Sequence, residues 1–141
     1  MIRIPGKIQG KGRPRFYGHH AVTPENTVNY EAKIAEAYKA SIKSGEDTYH
    51  EGPVHIFIVV DFAIPESYSK KKKSQCCLGV LLPTKKPDID NVAKVVLDAL
   101  NGVAYKDDTQ VVSLQVVKGW ALGSEELRVY VRNATGTESF V

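Results

Sequence analysis

Two hydrophobic rhythms alternate along this chain. At Val54, Ile56, Ile58, Val60 and Phe62 apolar side chains recur at every second residue, the spacing that turns one face of a β-strand inward. His55, Phe57, Val59 and Asp61 make the other face partly apolar as well, which suits an interior strand. Val112, Leu114 and Val116 alternate in the same way, as do Leu127, Val129 and Val131, and the glycine-containing turn between the two runs predicts an antiparallel hairpin. Ile2, Ile4 and Ile8 mark a short first strand, interrupted by Pro5 and Gly6, with a Gly/Arg-rich loop over Gly10–His20 after it. Leu78–Leu82 reads as another short strand.

The second rhythm has spacings of three and four. Val28, Ala32, Ala35, Tyr38 and Ile42 predict a helix to about Lys43, opened by Thr23 as N-cap and Pro24 at the first helical position. Val92, Val95, Val96, Ala99 and Leu100 predict a second helix, ended by Asn101-Gly102. Glu66–Gln75 reads as an exposed basic loop, and residues 133–141 as a frayed tail. The order of elements gives an α+β fold: a small mixed β-sheet with two α-helices packed on it, in one domain over residues 1–141.

Composition adds little until charge is placed along the chain. At 141 residues, 43% hydrophobic and 25% charged, the chain reads as an ordinary globular protein. It has no apolar run long enough to span a bilayer and no secretory leader pattern, so a cytoplasmic protein is expected. Cys76 and Cys77 are adjacent and read as free thiols near a loop. The net charge of +3 hides a segregation. Met1–Thr23 holds five basic residues and no acid, and Ser67–Pro87 six lysines and no acid, whereas five of the 16 acids fall between Asp88 and Asp108. Basic segments around an acidic knot fit a polyanion drawn to a cation-holding site.

The acidic knot lies in KPDIDNVAKVVLDALNG, Lys86–Gly102. Asp88 and Asp90, two apart in extended chain, project to one side about 6.6 Å apart. Asp90 also precedes a helical turn, whose partial positive charge favours a carboxylate. Lys94 and Asp98 follow at intervals of four on the same helix face. Asp107 or Asp108 joins this set only if the turn after the helix folds back to the helix start. Gathered carboxylates without His or Cys suit Mg²⁺ or Mn²⁺ rather than zinc. Each piece also has a plain structural reading: Asp90 as N-cap, Asp98 as ion-pair partner of Lys94, Asp107-Asp108 as a turn. Spacing alone leaves both open. Gly6-Lys-Ile-Gln-Gly10-Lys11 falls one residue short of a phosphate-binding loop, and Gly12 stands where that motif needs a hydroxyl.

KPDIDNVAKVVLDALNGVAYKDDTQV, Lys86–Val111, resembles the signature of the RusA family of Holliday junction resolvases, common in phages and prophages, and GKIQGKGRPRF, Gly6–Phe16, resembles the family's amino-terminal segment. The resemblance implies a homodimeric, Mg²⁺-dependent endonuclease, with Mn²⁺ able to substitute, that nicks four-way DNA symmetrically in recombination and repair. It assigns metal binding to Asp88, Asp90 and Asp108 and a catalytic role to Lys94 beside them. Asn91, Asp98 and Asp107 are supporting residues, and Lys11, Arg13, Arg15, Lys70, Lys71, Lys72, Lys73 and Lys86 are the expected DNA contacts. The other readings are a metal-dependent nuclease of flaps or other branched DNA, and a non-catalytic DNA-binding module.

Overall fold

A computed structural model describes residues 1–136. The elements are β1 (Ile2–Pro5), β2 (Arg15–Tyr17), β3 (His20–Val22), α1 (Glu25–Lys43), β4 (Val54–Phe62), α2 (Lys70–Cys77), α3 (Ile89–Leu100), a 3₁₀ turn (Asp108–Gln110), β5 (Val111–Trp120) and β6 (Glu126–Asn133). β1, β6, β4 and β5 form one mixed sheet in that order, and β2–β3 a separate two-stranded ribbon, so the fold is α+β as expected.

β4 is the interior strand that its two apolar faces require. It pairs antiparallel with β6, Ile58 opposite Val129, and parallel with β5, Ile58 opposite Val116. β5 and β6 are therefore not the expected hairpin. A parallel β4–β5 pair needs a long crossover, which α3 supplies, and β6 then returns to the far side of β4 to meet β1, Ile2 opposite Val129. Strand neighbours in sequence need not be neighbours in the sheet.

α1 ends where its periodicity predicts but starts one residue later, with Pro24 at the N-cap position and no side-chain cap. Its buried stripe is Thr27, Tyr30, Ile34, Tyr38 and Ser41, rotated from the expected one, and Val28 is half exposed. Ser41 Oγ donates to Tyr38 O within the helix, and Thr27 Oγ1 accepts from Gly12 N of the preceding loop. A hydroxyl with a backbone partner is no obstacle to burial, so Thr27 and Ser41 were invisible to an apolar pattern. α1 and α3 cover one face of the sheet, and Ile34, Tyr38, Val92, Val96, Leu100, Ile56, Ile58 and Leu127 form the core between them.

Two loop assignments and one strand assignment change. The Gly10–His20 segment contains a strand, because Gly18, at φ +63°, lets the chain reverse into the β2–β3 ribbon. The lysine run folds as helix α2, whose Ser69 Oγ accepts from Lys72 N at 3.2 Å. Cys76 and Cys77 are free thiols on its last turn, one buried and one exposed. Leu78–Leu82 forms turns rather than a strand. Of the tail expected to fray, Asn133 ends β6 and its Oδ1 lies 2.7 Å from His50 Nδ1. Residues 137–141 lie outside the described residues.

Candidate active site

α3 begins at Ile89, with Asp88 at the N-cap position in extended conformation and Asp90 inside the first turn. Neither the expected cap by Asp90 nor any side-chain cap by Asp88 is formed. The stripe of Val92, Ala93, Val95, Val96, Ala99 and Leu100 is buried against the sheet. That packing leaves Asp88, Asp90, Lys94 and Asp98 exposed on the outer side. Among the described residues Asp88, Asp90 and Lys94 have no ion-pair partner within 4 Å.

The amino-terminal loop is moored across the mouth of this helix. Lys11 N donates to Asn91 O at 2.9 Å, and Gly12 N donates to Thr27 Oγ1 at 3.0 Å. A Cβ on Gly10 would lie 2.8 Å from Pro87 Cβ and 2.9 Å from Asn91 Cβ, so the loop touches α3 only because position 10 has no side chain. The mooring creates a groove of about 860 Å³ whose walls carry Lys7, Arg13 and Lys86 together with Asp88 and Asn91. Lys7 and Asn26 were not singled out by the sequence. Lys7 lies in the near-miss phosphate-loop motif, which was the available signal.

Lys11, expected as a DNA contact, also lines the groove, where it is partly buried and paired with acids. Its ammonium lies 2.6 Å from Glu31 and 3.0 Å from Asp98. Burial works against its charge, but hydrogen bonds and attraction from Glu31 and Asp98 outweigh it, and its pKa is raised. Asp98 thus pairs with Lys11 instead of the expected Lys94. Lys11 ties loop, α1 and α3 together.

The 107–108 pair stands at the other end of α3. Asp108 N donates to Asn101 Oδ1 at 3.1 Å, just past the last helical turn. Asp107 caps the 3₁₀ turn, its side chain accepting from Gln110 N, while Gln110 Oε1 accepts from Asp107 N at 3.2 Å. Both aspartates are exposed, and both take part in the bonds that shape this turn. The Asp108 pKa is raised by its hydrogen bond with Asp107, a small burial cost and repulsion from Asp107 and Asp98. The turn does not fold back. With 12 residues at about 1.5 Å each, α3 separates Asp88 from Asp108 by about 18 Å along the axis. Among the described residues, no three His, Cys, Asp or Glu side chains are grouped to hold a metal ion.

Residues 5–132 match the family described as endodeoxyribonuclease RusA. The chain belongs to the RusA family. The RusA match takes in α3, the moored loop and the strands β4 and β5, and so covers every residue of the groove. The chain is also similar to the uncharacterized protein YqaN of Bacillus subtilis (strain 168), 45% identical over 104 residues, 71% of each chain. RusA membership makes the activity class that of an endodeoxyribonuclease, and no described helix is long and apolar enough to cross a membrane.

The α2 lysines, further candidates for DNA contact in this RusA fold, are not among the residues that line the groove. Lys70, Lys71 and Lys72 are exposed on α2, with Lys73 half-buried. Lys72 lies 3.9 Å above the Tyr68 ring, which meets Trp120 edge-on. Arg15 begins β2, and its side chain lies outside the described part of the structure.

Proposed function

We propose that this protein resolves Holliday junctions in recombination and repair, as a Mg²⁺-dependent homodimer in the cytoplasm making paired symmetric nicks. The carrying observation is the mouth of α3, where Asp88 stands in a groove walled by Lys7, Arg13 and Lys86, within a chain of the RusA family. A sugar–phosphate backbone held by those cations passes the exposed carboxylates. The affinity they supply should fall steeply with salt.

Within one chain Asp88, Asp90 and Asp108 do not fit a single metal, because α3 stands between them. The same residues fit if two chains share each site, Asp88 and Asp90 from one protomer and Asp108 from a second. Two features support that arrangement. Asp108 lies beside β5, which is the edge of the sheet, and β5 there exposes Val112 and Leu114 at 59% and 41%. An apolar edge strand is a ready surface for a second chain. A bound Mg²⁺ would lower the pKa of a water and offset charge on the phosphoryl oxygens. Lys94, one turn beyond Asp90 on the same face, adds a fixed positive charge beside the reacting phosphate.

The test uses labelled four-way, flap and linear DNA with Mg²⁺. Symmetric nicking of the four-way substrate in preference to the others is expected. Preference for flaps redirects the assignment to other branched DNA, and binding with no nicking overturns catalysis. Sharing of the site is tested by mixing two inactive variants, Asp90→Asn and Asp108→Asn. A mixed dimer carries one intact site, so exchanged subunits should recover about a quarter of the wild-type nicking rate. No recovery in a verified mixed dimer sinks the shared site.

A further inference from the structure

The β2–β3 ribbon stands away from the body of the protein. Every residue from Phe16 to Val22 is exposed, Phe16 at 74% and Tyr17 at 63%. Neighbours along a strand point to opposite faces, so Phe16, paired with Ala21, belongs to one face and Tyr17, paired with His20, to the other. A two-stranded ribbon gains stability by burying a face, and this one buries neither. Its feet, by contrast, are fixed. Gly12 N donates to Thr27 Oγ1 at 3.0 Å just before the ribbon, and α1 starts three residues after it. Arg13 on one side of the ribbon and Asn26 on the other both line the groove at the mouth of α3. The ribbon therefore rises from the rim of that groove, with an uncovered aromatic ring on each face.

From this geometry we infer that the ribbon selects branched DNA, entering at the branch point and stacking Phe16 and Tyr17 on the end base pairs of two arms. The inference rests on the groove holding a DNA backbone, as proposed above. With that backbone at Arg13, Phe16 lies three residues on, at most about 10 Å along extended chain. The grooves of a duplex are about 7.5–8.5 Å deep, so the rings can reach bases from a backbone contact. Where arms meet, the last base pairs have an uncovered face ready for an aromatic ring. Inside a linear duplex the same wedge must first unstack a step, at a cost of a few kcal/mol. That difference is a preference for branches. In sequence the segment carries Arg13 and Arg15, and the first acid of the chain is Glu25, beyond the ribbon, which suits a polyanion.

Fluorescence anisotropy in EDTA tests it with a labelled four-way junction and a linear duplex of equal length. Wild-type protein should bind the junction at least about tenfold more tightly. Phe16→Ala and Tyr17→Ala should each weaken junction binding about tenfold, the worth of one stacked base, and leave duplex binding and its salt dependence unchanged. Phe16→Trp keeps a stacking face and should retain junction affinity. Gly18→Val, strained at φ +63°, should give the same selective loss by loosening the ribbon while both rings remain. Equal binding of junction and duplex by the wild type overturns the inference, as does full junction affinity in either alanine variant or equal loss on both substrates. A variant shifting from dimer to monomer in light scattering also overturns it, and assigns the ribbon to a second copy of the chain. Binding is read without metal, so selective binding with no nicking in Mg²⁺ would support the ribbon's role while sinking the catalytic reading.

Discussion

Asp90 is favoured at its position by the amide groups of a helix start, whatever else it holds. Its replacement by Asn therefore separates the two roles. Losing the charge–dipole term costs about 0.3–1 kcal/mol, whereas losing a metal ligand should reduce nicking by at least about 100-fold. Junction affinity should hold or tighten, because a charge that repels phosphate is gone. Single-turnover nicking beside a gel-shift titration checks both, and joint loss of binding and cleavage would show that Asp90 is not purely catalytic. Lys11→Met is the contrasting case. It breaks the bonds to Glu31 and Asp98 and should cost about 1–2 kcal/mol in a urea titration. The sequence could name Asp98 as an ion-pair residue but chose the wrong lysine. Helical spacing shows only partners on the same helix, and Lys11 arrives from a distant loop.

Among the elements, the moored loop is the most sensitive to a small change. Gly10→Ala places a methyl group against Pro87 and Asn91, a clash that should cost about 1–3 kcal/mol. The loop can relieve it by lifting from α3, which opens the groove. Nicking and duplex binding should then fall further than the melting temperature does, and equal loss of all three would mean that the loop does not shape the site. The strands and α3 were legible because one buried face imposes a period on the sequence. α2 was not, since a helix of four lysines, Ser and Gln with only Cys76 buried has no apolar stripe to read. Its start does carry the local signal, Ser69 three residues before Lys72 N, and Ser69→Ala should loosen this helix by about 1 kcal/mol, seen as faster amide exchange confined to Lys72 and Lys73. The β5–β6 pairing failed for another reason. Alternation fixes which residues face inward but not which strand lies alongside, and β4 takes the place between them. The distance between Asp108 and Asp90 depends on the same unreadable step, so the candidate ligands were legible one by one and their arrangement was not.

At the scale of the whole molecule, three tyrosines tie stability to alkaline pH. Tyr30, Tyr38 and Tyr105 are buried, and burial raises the pKa of each. Tyr38 and Tyr105 also donate from their neutral hydroxyls, to Thr48 O at 2.6 Å and Leu97 O at 3.1 Å. In the unfolded chain tyrosines ionise near pH 10. Above that value the unfolded state releases protons that the folded state keeps, so stability is complete below about pH 10 and declines as the pH rises. Urea midpoints should be flat from pH 7 to 9 and fall above about 10, with tyrosinate absorbance appearing only on unfolding. Tyrosinate absorbance in the still-folded protein would contradict the burial.

The pairing of β1 with β6 also sets a schedule for the chain as it is made. β1 leaves the ribosome long before its hydrogen-bonding partner β6, and β4 lacks one of its two neighbours until the same moment. At roughly 5–20 residues per second, Ile2 and Ile4 wait on the order of ten seconds before Leu127 and Val129 emerge to meet them. During that wait α1 and α3 can form, but the sheet they rest on is half built. Nascent chains stalled before Glu126 should therefore be protease-sensitive and chaperone-bound, and release of β6 should close the fold in one cooperative step.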